Sequence, residues 1–228
     1  MVTSSSFNFS QKSNNKVSFG GQRLYSLNLL KTLPNGAKEK VPAIFTELND
    51  KTDFKFLESI ENFWGTNTKY AQRIISHFKS EFNFTRPFPF RFSRFFLVEC
   101  PQFKNPYERI RAISEVRYNI QPNTFKIRFL QSASEINSIE KLAGQGTNML
   151  GGIVKQAMDN NLASINLISD KSCTQFYDKA GLKPLGVNLL GFNNNPCGYT
   201  IKKENYQEFL NKLKEKYGEI LLVLKNES

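Results

Sequence analysis

The sequence predicts an α/β fold on a mixed, mainly antiparallel sheet flanked by helices. Two observations carry this. Phe95–Cys100, Ile110–Tyr118 and Phe125–Leu130 are β-like segments that follow one another across short joins, as an antiparallel meander does. From Phe125 to Leu185 the order then becomes strand, glycine loop, helix, strand, helix.

The elements read in order as follows. Residues 1–15 are rich in Ser, Asn and Gln without periodicity, and read as a disordered tail. Leu24–Lys31 reads as a strand, Pro34-Asn35-Gly36 as a turn and Val41–Leu48 as the returning strand. Thr52 or Asp53 caps a helix carrying Phe56, Leu57, Ile60, Phe63 and Trp64 on one face, with Gly65 as its stop. A second helix starts near Thr68, with Tyr70, Ala71, Ile74, Ile75, Phe78 and Phe82 as its apolar stripe. Residues 86–89 break it. In the third strand of the meander, Phe125, Ile127 and Phe129 alternate with Lys126 and Arg128. Met149, Leu150, Ile153, Val154, Ala157 and Met158 recur at helical spacing, and Ile165–Ile168 is a short apolar strand. Phe176–Leu182 holds a short helix closed by Gly181. Gly198–Lys202 is a strand, Glu204–Tyr217 a last helix, and Ile220–Leu224 either a final strand or an extension of that helix.

A chain of 228 residues is long enough for one domain with a substantial core, and its 21 phenylalanines suggest an aromatic-rich one. No apolar run approaches the ~20 residues needed to span a bilayer. No basic stretch followed by an apolar one marks a secretory signal, so the reading is cytoplasmic, without a membrane partner. Cys100, Cys173 and Cys197 are odd in number and lack CxxC spacing, which argues against a disulfide framework or a metal site. The single histidine, His77, reads as a structural or surface residue of the second helix and leaves no histidine-based triad. A net charge of +11 suits a polyanionic cofactor, a nucleic acid or an acidic surface. Arg86–Arg94, with arginines between aromatics, reads either as a base-stacking segment or as a strand with its aromatics in the core and its arginines in solvent.

Residues 141–152 say most about function. Gly144 and Gly146 flank Gln145 just before an apolar helix. Without Cβ atoms, such a loop lets backbone N–H groups converge on a phosphate, and the helix N-terminus adds partial positive charge. Glycine pairs also start helices for packing reasons.

Together, Lys141-x-x-Gly144-x-Gly146 and Phe176-Tyr177-Asp178-Lys179-Ala180-Gly181-Leu182, separated by one helix and one strand, resemble the GNAT N-acetyltransferase family. The resemblance implies an acyl-CoA N-acyltransferase-like sheet of about six or seven strands that opens where the strand ending near Leu130 leaves the one at 163–169. It implies residues 16–228 as one acetyltransferase-like domain, extended at its N-terminus by a hairpin strand that the family core does not require. It implies acetyl-coenzyme A as co-substrate and an amine, on a small molecule or a protein, as acceptor.

The same resemblance assigns roles. Lys141, Leu142, Ala143, Gly144, Gln145, Gly146 and Thr147 would hold the pyrophosphate, with Lys141 where the family more often has Arg or Gln. Leu130, Gln131 and Ser132 would pair with the pantetheine arm, although the connection 133–140 is longer than the usual family link. Asp170 stands where the family often has Asn; it accepts from amides but cannot donate. Tyr177 would protonate the leaving sulfur. Trp64 and Tyr70 are candidate linings of the acceptor cleft. Glu99 and Glu115, among apolar neighbours on central strands, are candidate general bases, or else partners of Arg117 or Arg128. Two other readings stay open: an inactive binding protein on the same fold, and a basic nucleic-acid-associated protein.

Overall fold

The computed structural model describes residues 21–48, 53–83, 93–136, 138–184 and 197–223. The tail at 1–15 and nearly all of the arginine–aromatic segment at 86–94 lie outside these residues.

Strands β1 (Gln22–Thr32) and β2 (Lys38–Leu48) form a hairpin. Its turn holds Gly36 at φ 81°, and the Asn35 side chain accepts from the Ala37 N–H. Helices α1 (Asp53–Asn67) and α2 (Ala71–Asn83) follow. Next come β3 (Ser93–Glu99), the single turn α3 (Pro106–Arg109), β4 (Ile110–Asn119) and β5 (Thr124–Ser132). The glycine loop leads into α4 (Gln145–Asp159), then β6 (Ser164–Ser169) and α5 (Thr174–Lys179). The described chain closes with β7 (Lys183–Pro184), β8 (Cys197–Lys202), α6 (Tyr206–Tyr217) and β9 (Leu221–Leu222).

The strands form one nine-stranded sheet in the order β7-β8-β6-β5-β4-β3-β2-β1-β9. Only β5 and β6 pair in parallel; the other pairs are antiparallel. This is the mixed, mainly antiparallel α/β fold that the sequence predicts. The two strands beyond the expected number, β7 and β9, have two residues each, too few to show a period. β9 resolves the two readings of the C-terminal apolar run, pairing Leu221 and Leu222 with Ser26 and Tyr25.

Two apolar clusters cover the two faces. One joins α4 and α6 to β1–β6 and β8 through Phe45, Phe96, Phe125, Ile153, Phe209 and their neighbours. The other joins α1 and α2 to β3 and β4 through Trp64, Ile74, Phe78, Phe95 and Ile113. Tyr25, Phe45 and Phe96 stack in a row across three strands, centroids 5.9 and 4.9 Å apart.

Three details differ from the sequence reading. Helix α1 runs through Gly65 to Asn67, because the side chains of Thr66, Asn67 and Thr68 take up carbonyls of its last turn, and α2 begins later, at Ala71. Trp64 is fully buried and lines no open cleft. Phe129 does not share a face with Phe125 and Ile127. Glu115 pairs with Phe129 while Val116 pairs with Ile127, so Arg128 is an extra residue, a β-bulge. The insertion shifts the alternation by one. Phe129 therefore joins the α1/α2 side, and Leu130 the α4 side.

Helix α4 lies close against the sheet because Gly152 has no side chain: a Cβ there would meet the Phe45 ring at 2.2 Å. Alanine at an ordinary helix position would gain ~1 kcal/mol over glycine. Here we expect Gly152→Ala to lose instead, by about 1–3 kcal/mol, since the ring is locked in its stack and cannot move aside. Urea unfolding of the two proteins checks the sign.

Candidate active site

The site begins where two strands part. β5 and β6 pair from Thr124/Ser164 to Ile127/Leu167 and no further. β5 continues to Ser132, still paired with β4, and among the described residues no strand pairs with its other edge from Arg128 onward. The bulge at Arg128 sits at the point of parting, where the extra twist of a bulge turns a strand away from its neighbour. Ser169 ends β6, and Asp170 leads into the turn before α5.

On the α4 side of the opening stands the glycine loop. Gly144 is the N-cap of α4 at φ 90°, a left-handed conformation that glycine adopts without strain. A Cβ there would also strike the Tyr217 ring at 2.4 Å. Gly144 is therefore demanded by local packing as well as by any ligand. Ala143 exchanges both backbone hydrogen bonds with Leu30, which ties the loop to β1 and leaves its N–H unavailable. Lys141 turns its ammonium back onto the carbonyls of Ser134 (2.8 Å) and Ile136 (3.3 Å). Leu142 is buried, and its carbonyl accepts from the Gln145 side chain, whose own oxygen is buried without a partner among the described residues. The N–H groups of Gln145, Gly146 and Thr147 open the first turn of α4, where no carbonyl of the helix itself reaches them. A Cβ at Gly146 would come within 3.1 Å of the Phe176 ring, so Phe176 packs over this helix start, beside Leu130.

Tyr177 is nine-tenths buried, between Phe176 (centroids 4.9 Å, edge-on) and Tyr199 (5.4 Å). No described residue holds its hydroxyl by a hydrogen bond. Burial, then the nearby Cys173, Tyr70 and Asp170, pushes its ionisation well above the ordinary phenol range. Across the opening, the Tyr70 N–H donates to the Gln131 side chain on β5 (3.2 Å), and its hydroxyl makes a short hydrogen bond to Asp170 after β6. Lys69 also reaches Asp170, at 2.6 Å. Tyr70 thus spans the two parted strand ends. Lys69 first, then Tyr70, holds the Asp170 carboxyl below its ordinary range.

Neither candidate base faces open space. Glu99 is fully buried and held by Arg109 (2.8 Å), with Arg23 and Thr46 nearby. Glu115 is fully buried too: Oε1 accepts from Arg128 (2.9 Å) and, more distantly, Ser93, while Oε2 lies 2.7 Å from Nδ1 of His77. Both carboxylates read from sequence as candidate bases, acting through water, are thus enclosed, and Glu115 also makes the Arg128 pairing that the sequence left as its alternative. His77, read from sequence as structural or surface, is half-exposed and hydrogen-bonded to the candidate base. Its one sequence signal was a place two turns along α2 from Tyr70. Among the described residues no cluster suits a metal ion, and burial pushes the Cys100 thiol up to about 12, which keeps it unreactive.

No protein-family model and no curated protein sequence matches this chain. Solved structures do. A protein of Desulfovibrio desulfuricans assigned to the GNAT acetyltransferases is similar over 71% of this chain and 99% of its own, at 11% identity and a TM-score of 0.49. The spermidine/spermine N-acetyltransferase SpeG of Vibrio cholerae is similar over 73% and 98%, at 15% identity and a TM-score of 0.48. A GNAT-family acetyltransferase of Staphylococcus aureus is similar over 70% and 99%, at 12% identity and 0.44.

The Lys69–Tyr70–Asp170 bridge has a pH signature. Asp170 titrates below the ordinary 3.8 when folded, so its contribution to stability is complete above that value and is lost as pH falls through the lower folded value. Thermal unfolding of parent and Asp170→Asn from pH 7 to pH 2 should show a constant difference at neutral pH that shrinks only below about pH 4. The difference should be small, because the pair is exposed to solvent.

Proposed function

We propose that the protein is an N-acetyltransferase that moves an acetyl group from acetyl-coenzyme A to a primary amine. The observation that carries this reading is the parting of β5 from β6, with an unpaired strand edge on one side and, next to it, the N-terminus of a 15-residue helix started by two glycines. A pantetheine arm is a chain of amides, and an open strand edge offers it a ladder of donors and acceptors. The Leu130, Gln131 and Ser132 backbone would hold that arm and the acetyl carbonyl. The free N–H groups of Gln145, Gly146 and Thr147 would take the pyrophosphate. Lys141, Leu142, Ala143 and Gly144 shape the loop rather than touch the phosphate through their side chains. Asp170 would accept from a pantetheine amide once Tyr70 releases it.

Tyr177 carries the leaving-group step. When the amine nitrogen bonds to the acetyl carbon and the C–S bond breaks, the departing thiolate needs a proton. A buried phenol that stays protonated at neutral pH supplies it, and its hydroxyl is not committed to any described residue. A second reading, a protein on this fold that no longer transfers, is favoured by one observation: Tyr70 already spans the gap that the pantetheine arm would enter. Acetyl-coenzyme A decides between binding and no binding, because ligand at 100 times its dissociation constant stabilises by about 2.7 kcal/mol and raises the unfolding temperature.

We expect Tyr177→Phe, which keeps the ring and its packing, to lower kcat by about 10²–10⁴-fold with little change in the apparent affinity for acetyl-coenzyme A. Steady-state rates of the two proteins check this. Equal rates would leave Tyr177 as a packing residue.

A further inference from the structure

The described structure leaves the acceptor amine without an assigned base, since Glu99 and Glu115 are enclosed. Resting on the acetyltransferase reading above, we propose that His77 is the general base, with Glu115 as the residue that positions it.

The geometry is that of an oriented imidazole. Glu115 sits in the sheet under α2, and its Oε2 lies 2.7 Å from Nδ1 of His77. Its other oxygen takes a hydrogen bond from Arg128, so the carboxylate acts as an acceptor and Nδ1 is the donor. In the neutral ring this puts the proton on Nδ1 and the lone pair on Nε2. Among the described residues nothing bonds Nε2, and the side chain is 38% exposed. The opposite face of the pair is closed, with Glu115 at 1% exposure. A buried carboxylate and a half-exposed imidazole form a proton relay that opens toward solvent.

The position suits the reaction. Phe129 lies between the His77 ring (centroids 5.8 Å) and the Tyr70 ring (5.5 Å). Its neighbour Leu130 begins the strand end that would hold the acetyl group. An amine resting on the half-buried Phe129 ring therefore lies between the base and the carbonyl it attacks. The bulge at Arg128 makes this arrangement, because it turns Phe129 to the α2 side and brings the Arg128 guanidinium onto Glu115.

The protons balance. His77 Nε2 takes one proton from the substrate ammonium and returns it to solvent from its exposed edge. The neutral amine forms the N–C bond. As the C–S bond breaks, Tyr177 gives its proton to the sulfur and is reprotonated by the second proton that the nitrogen sheds. The products are the acetamide, free coenzyme A and one proton.

Of the charged groups, Glu115 on β4 bonds the imidazole and is itself paired with Arg128 on β5, while Arg73 and Glu81 stand one turn either way along α2. The test uses acetyl-coenzyme A and three primary amines: an alkyl diamine, an α-amino ester and a lysyl peptide. His77→Gln should keep the heat shift with acetyl-coenzyme A and lower kcat by about 10²–10⁴-fold. On the general-base reading the parent's pH–rate profile should have an acid limb that His77→Gln lacks. His77→Ala should regain rate when free imidazole is added, which a structural role would not produce. The ring of the only histidine gives an independent readout: its nitrogen NMR shifts should report the Nδ1–H tautomer in the parent and a loss of that preference in Glu115→Gln. A His77→Gln protein with the parent's rate and pH profile overturns this inference alone. A parent that takes up acetyl-coenzyme A but acetylates none of the amines overturns it together with the transferase reading. A parent with no heat shift removes the cofactor reading first.

Discussion

Two parallel strands can share hydrogen bonds only while they run side by side, and β5 and β6 stop doing so after Ile127 and Leu167. The site depends on that limit. Had the pair continued, the β5 edge would be saturated, Tyr70 would have no gap to span, and the start of α4 would face a closed sheet. The parting is set by an inserted residue rather than by a break. β5 keeps its ladder to β4 throughout, so one side of the strand stays rigid while the other is left open.

The neighbouring strand β4 carries an inserted residue of the same kind. On β4, Val98 pairs with Ala112 and Glu99 with Ile110, which leaves Arg111 as the extra residue. Both bulges on these central strands are therefore arginines. Arg128 reaches Glu115, beside the opening. Arg111 is fully buried, stacked 4.1 Å over the Phe103 ring and bonded to the Glu140 carbonyl at 3.0 Å, in the connection that leads to the glycine loop. Burial lowers its proton affinity, the expected cost of enclosing a charge. Each arginine ties an irregularity of the sheet to a neighbouring element. For Glu115 the consequence is chemical: its charge is compensated inside the fold, so it can hold an imidazole without being lost to solvent.

The order of elements, the glycine loop and the Phe-Tyr run were legible in the sequence because each is a local pattern, and periodicity reports local structure well. The sequence did not disclose the bulge. Phe125, Ile127 and Phe129 look like one face of a strand, and nothing in the letters marks Arg128 as an extra residue. Nor did it disclose the pairs that build the site. His77 and Glu115 are 38 residues apart, and Tyr70 and Asp170 are 100 apart. Glu115 was legible as a carboxylate among apolar residues, but its enclosure depends on Arg128, which only the shifted register brings within reach. Lys141 could be read as a free charge until the long 133–140 connection proved to curl back and occupy it.

The most direct test of the central claim, that the gap beyond Ile127 is the coenzyme A slot, is backbone hydrogen exchange with and without acetyl-coenzyme A. Amides of residues 128–132 on the open β5 edge and 145–147 at the start of α4 should both slow on adding the ligand, while the paired stretch at 124–127 stays as it was. Protection confined to any other part of the chain, or none at ligand concentrations that stabilise the protein, would contradict the account.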